Sequence, residues 1–299
     1  MNKEELTALV AELLNQMQPQ VKSSDYKPTK QGPEKEYDSM QPNSFVPDVS
    51  NLDLRKLYLT EQPKNGAAFA RMKEKTPARL GMGKCGARYK TLTMLRFRAD
   101  HAAAQDAVFS EVDSDFAKKN DLLPTKTCCE SKDEYLTRPD LGRCFDEHNA
   151  KAIRGVIDRP PKVQIVVGDG LSSAAIEENA MDCLMAMKDG LKAKGIPLGK
   201  DIFVKYCRVG AGDAIGDITG CELVAVLVGE RPGLVTDKSM SVYITYQPHT
   251  GVSESSRTVI SNIHAQGTPA VEAGAYAAEL IDKILRKKVS GVGLHLENG

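Results

Sequence analysis

The feature that most constrains this chain is a series of almost wholly apolar segments after residue 160. They are separated by helical patterns and glycine-bearing loops, and they read KVQIVVGDG (162–170), DIFVKYCRV (201–209), CELVAVLVGE (221–230) and MSVYITYQP (240–248). Strands that are apolar on both faces occur in mostly parallel sheets that helices cover on both sides. The sequence therefore predicts an α/β fold with a Rossmann-like C-terminal domain.

The segments between these strands carry helix start and stop signals. The helix after the first strand is predicted to begin near Ser172 or Ser173, a typical N-cap residue, and to end at Gly195. A last long helix covers 268–288 and opens with a threonine cap followed by proline. The 228–241 connection has no helical pattern and is short, so the strands that it joins are predicted to be antiparallel.

The rest of the chain divides into segments of different character. Residues 1–18 have the pattern of an amphipathic helix, and residues 19–50 are rich in Pro, Lys, Gln, Ser and Asp, which is typical of a flexible linker. Residues 51–158, including LRKLYLTEQ, are mostly helical in pattern and show no alternation typical of a strand. The prediction is a flexible N-terminal extension, a smaller mostly helical domain over 51–158 and a Rossmann-like domain over 159–299.

The N-terminal helix has a single apolar stripe. It consists of Leu6, Leu9, Val10, Leu13, Leu14 and Met17. A helix tethered by a linker is typical of a docking element that lays its apolar face in a groove of a partner. The alternative is a terminal helix that packs against its own domain.

Composition and charge argue against several classes of protein. Lys+Arg and Asp+Glu are 40 each, Trp is absent and aromatic residues are 5%, so no nucleic-acid partner is expected. No apolar run reaches the length of a membrane span, and the N-terminus lacks the pattern of a secretory signal. Seven scattered Cys without a C-x-x-C pair argue against a disulfide framework or a zinc site and indicate a reducing cytosol.

Three glycine-bearing loops follow the predicted parallel strands. They are GDGLSS (168–173), RVGAGDAIGD (208–217) and GERPGL (229–234). Ligands of open α/β sheets bind outside the carboxyl ends of the strands, and glycine lets the main chain approach a bulky ligand closely. The loops therefore predict a ligand site at this rim of the sheet, with ordinary strand-to-helix turns as the alternative.

Two motif interpretations are weak. GDGLSS resembles a dinucleotide-binding loop, but Ser173 stands where the third glycine belongs, and Asp169 would face a pyrophosphate with a negative charge. Asp146–His148 resembles the start of the cobalamin signature D-x-H-x-x-G, but Lys151 replaces the glycine and the segment has a helical pattern. A histidine ligand to cobalt is therefore not expected.

One ionisable pair stands out at the predicted rim. Glu230 and Arg231 directly follow a buried strand, where charges cost desolvation unless a ligand or a partner uses them. A local salt bridge between the two is the alternative. The other polar residues offer neither a metal-ligand spacing of His nor a G-x-S-x-G motif, so no metal ligand is expected.

Several long segments resemble the ethanolamine ammonia-lyase small-subunit family. They are YLTRPDLGR, VVGDGLSS, FVKYCRV, LVGERPGL, SRTVISNIHAQGTPAVEAG and SGVGL, in the order that the family has. The resemblance implies an adenosylcobalamin-dependent ammonia-lyase that converts ethanolamine to acetaldehyde and ammonia by a radical mechanism. It also implies multiple αβ pairs, in which a large subunit supplies a TIM barrel with the substrate site and this chain contacts cobalamin at the interface.

The same resemblance assigns cobalamin contacts to Val209 in CRV, Glu230 in VGERPG and Val259 in RTVIS. Some relatives have Cys at the third position, which indicates a backbone contact there. Because the histidine signature is absent, adenosylcobalamin is expected base-on, with its own base on cobalt. No residue of this chain is expected to act as general acid, general base or nucleophile.

The helix at 1–18 also resembles peptides that bind bacterial microcompartment shells or other cargo. This resemblance implies a cytoplasmic protein within a bacterial microcompartment, with no nucleic-acid and no membrane partner. Two function classes besides the lyase subunit stay open: a stand-alone NAD-binding oxidoreductase and a non-catalytic microcompartment scaffold.

Overall fold

The computed structural model describes residues 48–49, 52–53 and 56–296. The helix predicted at 1–18 lies outside these residues, and so does the linker predicted at 19–50 apart from its residues 48–49. Within the described part of the chain, none of the helices has both the length and the apolar character needed to cross a membrane.

The chain divides into two compact units between Arg96 and Phe97. The first unit contains helix α1 (Gly66–Glu74), the short strands β1 (Lys84–Cys85) and β2 (Arg88–Tyr89), and the start of helix α2 (Thr91–Phe109). Asn65 caps α1, since its side-chain oxygen accepts a hydrogen bond from the N–H of Ala68 at 3.0 Å. The segment LRKLYLTEQ, predicted to be helical, contains no helix in its described residues.

The second unit is built on a six-stranded sheet with the order β3-β5-β4-β6-β7-β8. Its strands are β3 (Leu123–Lys126), β4 (Val163–Asp169), β5 (Ile202–Lys205), β6 (Leu223–Gly229), β7 (Met240–Tyr246) and β8 (Arg257–Ile263). The first four strands in this order are parallel, whereas β7 is antiparallel to β6 and β8 is antiparallel to β7. The mostly parallel sheet and the antiparallel pairing across the 228–241 connection are therefore confirmed.

Helices precede, connect and follow the strands of this sheet. They are α3 (Phe116–Lys119), α4 (Lys132–Thr137), α5 (Glu147–Arg154), α6 (Ser173–Ala193), α7 (Ala211–Thr219), α8 (Ala270–Lys287) and α9 (Gly293–Leu296), with 3₁₀ turns at Leu141–Arg143 and Glu254–Ser256. Ser172 caps α6 as predicted, since its Oγ accepts from the N–H of Ala175 at 3.1 Å. Gly195 follows the end of that helix with a φ of 67°, also as predicted. Helix α8 begins one residue later than predicted, with Pro269 at the cap.

The continuous apolar strands are buried on both faces, which explains their pattern. In β4, Ile165 belongs to a cluster with Met187 of α6 and Ile281 of α8, whereas the next residue, Val166, belongs to a cluster with Ile215 of α7. Each fully buried aliphatic side chain of this kind contributes about 1.5–3 kcal/mol to the free energy of unfolding. The two clusters therefore hold the sheet from opposite sides and fix where its strands end.

The sequence pattern misses both edge strands of the sheet. Strand β3 has only four residues and includes Pro124, which an edge strand tolerates because its outer side needs no ladder donor. Strand β8 mixes buried, half-buried and exposed residues instead of being continuously apolar. Because β3 pairs with β5, residues 97–158 belong to the same unit as the rest of the sheet. The domain boundary predicted between 158 and 159 therefore falls inside the second unit.

Candidate functional site

Three loops meet at one rim of the sheet. Strands β4, β5 and β6 are parallel and end at Asp169, Lys205 and Gly229. The loops that follow them therefore leave the sheet at the same edge, as the sequence predicts.

A cavity of about 150 Å³ opens between these loops. It is lined by Tyr135, Leu171, Cys207, Arg208, Val209, Val228, Gly229, Glu230, Arg231 and Tyr243. Two of the three residues that the resemblance marks, Val209 and Glu230, thus lie in one cavity although they follow different strands. A larger cavity of about 630 Å³, lined in part by residues 156–162 and 197–200, contains none of the three.

The third marked residue lies one strand further out. Val259 on β8 is paired with Tyr243 on β7, and the Tyr243 side chain lines the cavity. Directly opposite residues of neighbouring strands point to the same face of a sheet. Val259 is 44% exposed, so it extends the cavity wall as an accessible apolar surface.

The carboxylate of Glu230 is held by neutral donors. Its Oε1 accepts a hydrogen bond from Oγ of Ser241 at 2.6 Å and another from the N–H of Asn262 at 2.9 Å. In the described part of the chain, no ion pair joins Glu230 to Arg231, whose side chain is exposed. The local salt bridge considered from the sequence is therefore not formed, and the carboxylate is oriented by the sheet itself.

Arg208 and Tyr135 form another part of the cavity lining. The guanidinium of Arg208 lies 4.3 Å from the centre of the Tyr135 ring and donates through Nη2 to the Tyr135 carbonyl at 2.6 Å. The Tyr135 hydroxyl donates to the carbonyl of Cys207 at 3.1 Å. Among the described residues, Nε of Arg208 is buried and has no hydrogen-bond partner. The cavity lining therefore contains a fixed cation, the guanidinium of Arg208.

A buried charged pair lies beneath the first loop. Asp169 accepts from Oγ of Ser173 at 2.7 Å and from the N–H of Val112 at 3.2 Å, while Nζ of Lys132 donates to the Gly170 carbonyl at 2.9 Å. Burial raises the pKa of Asp169 and lowers the pKa of Lys132. Both groups are occupied by contacts within the protein, so they fix the loop.

The start of helix α6 is covered by the protein's own chain. Oγ of Ser172 donates to the carbonyl of Asp237, and Nδ2 of Asn179 donates to the carbonyl of Lys238 at 3.0 Å. In dinucleotide-binding folds the pyrophosphate occupies this position at the helix N-terminus. Asp169 also points inward instead of toward a ligand, so GDGLSS does not form a dinucleotide site here.

Two of the rim glycines have a packing role within the protein. A Cβ on Gly170 would lie 2.7 Å from Cγ2 of Val228, and a Cβ on Gly229 would lie 2.2 Å from the carbonyl oxygen of Ser172. Glycine is therefore required at both positions for the loops to pack against each other.

The segment resembling a cobalamin-ligand signature is a helix cap. Oδ1 of Asp146 accepts from the N–H of Asn149 at 2.8 Å, and His148 lies in the first turn of α5. Within the residues that the structure describes, no group of three or more His, Cys, Asp and Glu is arranged to hold a metal ion.

Sequence reasoning does not single out several residues of this site. Tyr135 and Arg208 stand inside segments that carry the family resemblance, but their contact joins positions 73 residues apart. Ser241 and Tyr243 lie on a strand that reads only as apolar core. Their roles depend on strand register, which a single sequence does not reveal.

Comparison with known proteins gives a consistent result. A sequence model described as "Ethanolamine ammonia-lyase light chain" matches residues 66–295. Curated relatives include the ethanolamine ammonia-lyase small subunits of Clostridium perfringens and Clostridioides difficile, both 53% identical over 98% of this chain and 100% of the relative. The small subunit of Listeria monocytogenes is 55% identical over 83% of this chain and 85% of its own length. The chain therefore belongs to the ethanolamine ammonia-lyase light chain family.

Proposed function

We propose that this chain is the small subunit of an adenosylcobalamin-dependent ethanolamine ammonia-lyase and that its rim cavity contacts the cobalamin. The observation that carries the proposal is the convergence of Val209 and Glu230 on one cavity, with Val259 beside its wall. These residues were chosen from sequence resemblance alone. They come from three segments of the chain, and family membership supports the lyase activity.

The cavity fits a projecting part of the cofactor. A volume of about 150 Å³ is too small for a corrin ring but accommodates one of its amide side arms. An amide both donates and accepts hydrogen bonds, and the cavity lining includes a carboxylate acceptor on Glu230 and the cationic side chain of Arg208. Val209 adds an apolar surface. The ring itself would have to lie outside a cavity of this size.

The residues of this chain bind and orient the cofactor. Bound adenosylcobalamin supplies the radical chemistry by which the enzyme removes ammonia from ethanolamine. The two ionisable groups beneath the first loop, Asp169 and Lys132, are buried in internal hydrogen bonds, so neither is available as a general acid or base. The substrate site and its proton transfers belong to the large subunit, and the cofactor stays base-on.

The surface around the cavity supports a second polypeptide at this rim. Leu234, Val235 and Val259 are 44%, 63% and 44% exposed, and the first two lie on the loop that follows β6. Apolar side chains concentrated beside a ligand cavity are typical of a surface that a partner covers. The large subunit covers this rim in the assembled enzyme, which contains multiple αβ pairs.

The predicted helix at 1–18 directs the protein to a bacterial microcompartment in the cytoplasm. Its apolar stripe is suited to a groove on the shell or on other cargo. Deletion of residues 1–19 is expected to abolish co-fractionation with compartments. Unchanged association and unchanged solubility after the deletion would exclude this role.

The cofactor site is tested in the complex with the large subunit. Purified complex is titrated with hydroxocobalamin, and binding is followed by the corrin absorption spectrum. Glu230→Ala is expected to weaken binding about 10-fold or more, because a hydrogen bond to a charged group is lost. Glu272→Ala, at an exposed glutamate on α8, is the matched control and is expected to leave the affinity unchanged.

Other results of the same work would support the competing functions. Nicotinamide binding by the isolated chain would favour a stand-alone oxidoreductase, and normal lyase activity without this chain would favour a scaffold. Hydroxocobalamin binding that is equal in the original complex and in Glu230→Ala would overturn the proposed site.

A further inference from the structure

We propose that Ser241 and a bulge in β8 are positioning elements that fix Glu230 and make it an acceptor for a ligand N–H or O–H group. The inference rests on the proposed cobalamin site and specifies how that site selects its contact. It assigns a role to two positions that do not themselves line the cavity.

The bulge follows from the register of β7 and β8. Met240 pairs with Ile263, but Val242 pairs with Ile260, so Ser241 alone stands opposite two residues, Ser261 and Asn262. This is a β-bulge, in which the extra residue leaves the ladder and its polar groups are redirected.

The extra residue supplies a hydrogen-bond donor to the site. Asn262 has a φ of 62°, in the left-handed region that Asn tolerates better than most residues. Its N–H leaves the β7 ladder and donates instead to Oε1 of Glu230 at 2.9 Å. Nε2 of His264 lies 2.8 Å from Oδ1 of the Asn262 side chain, which holds the turned residue in place. The bulge therefore aims a main-chain donor at the carboxylate.

Ser241 supplies the second donor from the opposite side of the bulge. Its side chain is 1% exposed, and its Oγ lies 2.6 Å from the same Oε1 of Glu230. A hydroxyl that donates to a carboxylate forms a charge-assisted hydrogen bond, which is shorter and stronger than a neutral one. Burial keeps water from replacing this donor.

The two hydrogen bonds to Oε1 of Glu230 leave its other oxygen, Oε2, as the acceptor for a ligand. With Oε1 held by Ser241 and Asn262, rotation of the Glu230 carboxylate is restricted, and Oε2 receives no hydrogen bond from any described residue. A carboxylate oxygen only accepts hydrogen bonds. The arrangement therefore favours a neutral amide or hydroxyl donor of the corrinoid and disfavours a negatively charged group at the same place.

The test measures hydroxocobalamin binding by the complex with the large subunit, so it does not depend on turnover. Ser241→Ala is expected to raise the dissociation constant about 10-fold, since one charge-assisted hydrogen bond is lost. Ser239→Ala is the matched control, because Ser239 is also buried on this segment and its Oγ has no partner among the described residues. Its dissociation constant is expected to stay within about 2-fold of the original.

A double-mutant cycle separates positioning from a general structural effect. In a Glu230→Ala background, Ser241→Ala is expected to cause no further change in affinity, because the group that Ser241 orients is gone. The absence of a further change in the dissociation constant is expected to hold at several temperatures below the unfolding transition. Ser241→Cys keeps the shape of the side chain and a weaker donor, so its dissociation constant is expected to lie between those of the original complex and Ser241→Ala. If Ser241→Ala does not assemble with the large subunit, Ser241→Cys takes its place in the test.

The outcomes distinguish the two levels of the proposal. Weak binding by Glu230→Ala together with full binding by Ser241→Ala would overturn the positioning role and leave the cobalamin site intact. An equal loss from Ser241→Ala in both backgrounds would also overturn it. Full binding by Glu230→Ala would overturn the site and the positioning role together.

Discussion

The buried ion pair between Arg257 and Asp213 gives the sharpest test of how the site is held. Arg257 begins β8 and Asp213 lies in the first turn of α7, with side chains 3% and 8% exposed. The guanidinium donates to both carboxylate oxygens, at 2.8 and 2.7 Å. The pair therefore ties the helix that follows Val209 to the strand that carries Val259.

Arg257→Met is expected to lower the free energy of unfolding by about 3–5 kcal/mol, because Asp213 is left buried without its partner. A unit of this size loses about 2–4 °C of Tm per kcal/mol, so Tm is expected to fall by about 6–20 °C. Urea and thermal denaturation of the purified protein measure both quantities.

Two controls isolate the buried contact. Glu254 also pairs with Arg257, but its side chain is 72% exposed. Glu254→Ala is therefore expected to lower the free energy of unfolding by about 1 kcal/mol or less. The double variant Asp213→Leu with Arg257→Met removes both charges and is expected to recover most of the lost stability. A loss in Arg257→Met no larger than that in Glu254→Ala would refute the reasoning.

Three further predictions concern the rim and the thiols. Burial raises the pKa of Asp169 above its ordinary value of 3.8, so the folded state holds that proton to higher pH than the unfolded state does. The stability of the original protein relative to Asp169→Asn is therefore expected to fall as pH rises from about 4 and then to level off. Denaturation curves of both proteins at several pH values measure this. Gly170→Ala is expected to cost about 1–3 kcal/mol and weaken hydroxocobalamin binding, whereas Gly233→Ala, with nothing within 4 Å of its Cβ, changes neither. At neutral pH, a thiol reagent is expected to label exposed Cys85 and to leave buried Cys207 unlabelled until the protein unfolds, because burial raises the pKa of Cys207 to about 12. Peptide mass spectrometry of the labelled protein measures this.

Local pattern was sufficient for the interior of the fold. Strands β4, β5, β6 and β7 were predicted within a few residues, because strands buried on both faces must be continuously apolar. The cap at Ser172 and the antiparallel strand after residue 239 also followed from local chemistry. Edge strands escaped prediction because half of their surface faces solvent, where Pro124 and polar side chains are allowed.

The site was predictable only in part for a different reason. Val209 and Glu230 are assigned through the family resemblance of the segments around them. Ser241, Asn262 and Tyr135 act through strand register and through contacts between segments far apart in sequence. Periodicity does not encode such contacts. Gly170 and Gly229 lie in loops that the sequence marks as glycine-bearing, but their packing role depends on contacts that only the folded structure reveals.

The position of β8 at the outer edge of the sheet links the stability of this strand to ligand binding. An edge strand is held by hydrogen bonds on one side only and belongs to the parts of a fold that open most readily. In the proposed cobalamin site, the donor from Asn262 and the surface of Val259 both depend on the pairing of β8 with β7. A corrinoid bound at the proposed site is therefore expected to stabilise this strand, and amide hydrogen exchange along 257–263 is expected to slow when hydroxocobalamin binds to the complex.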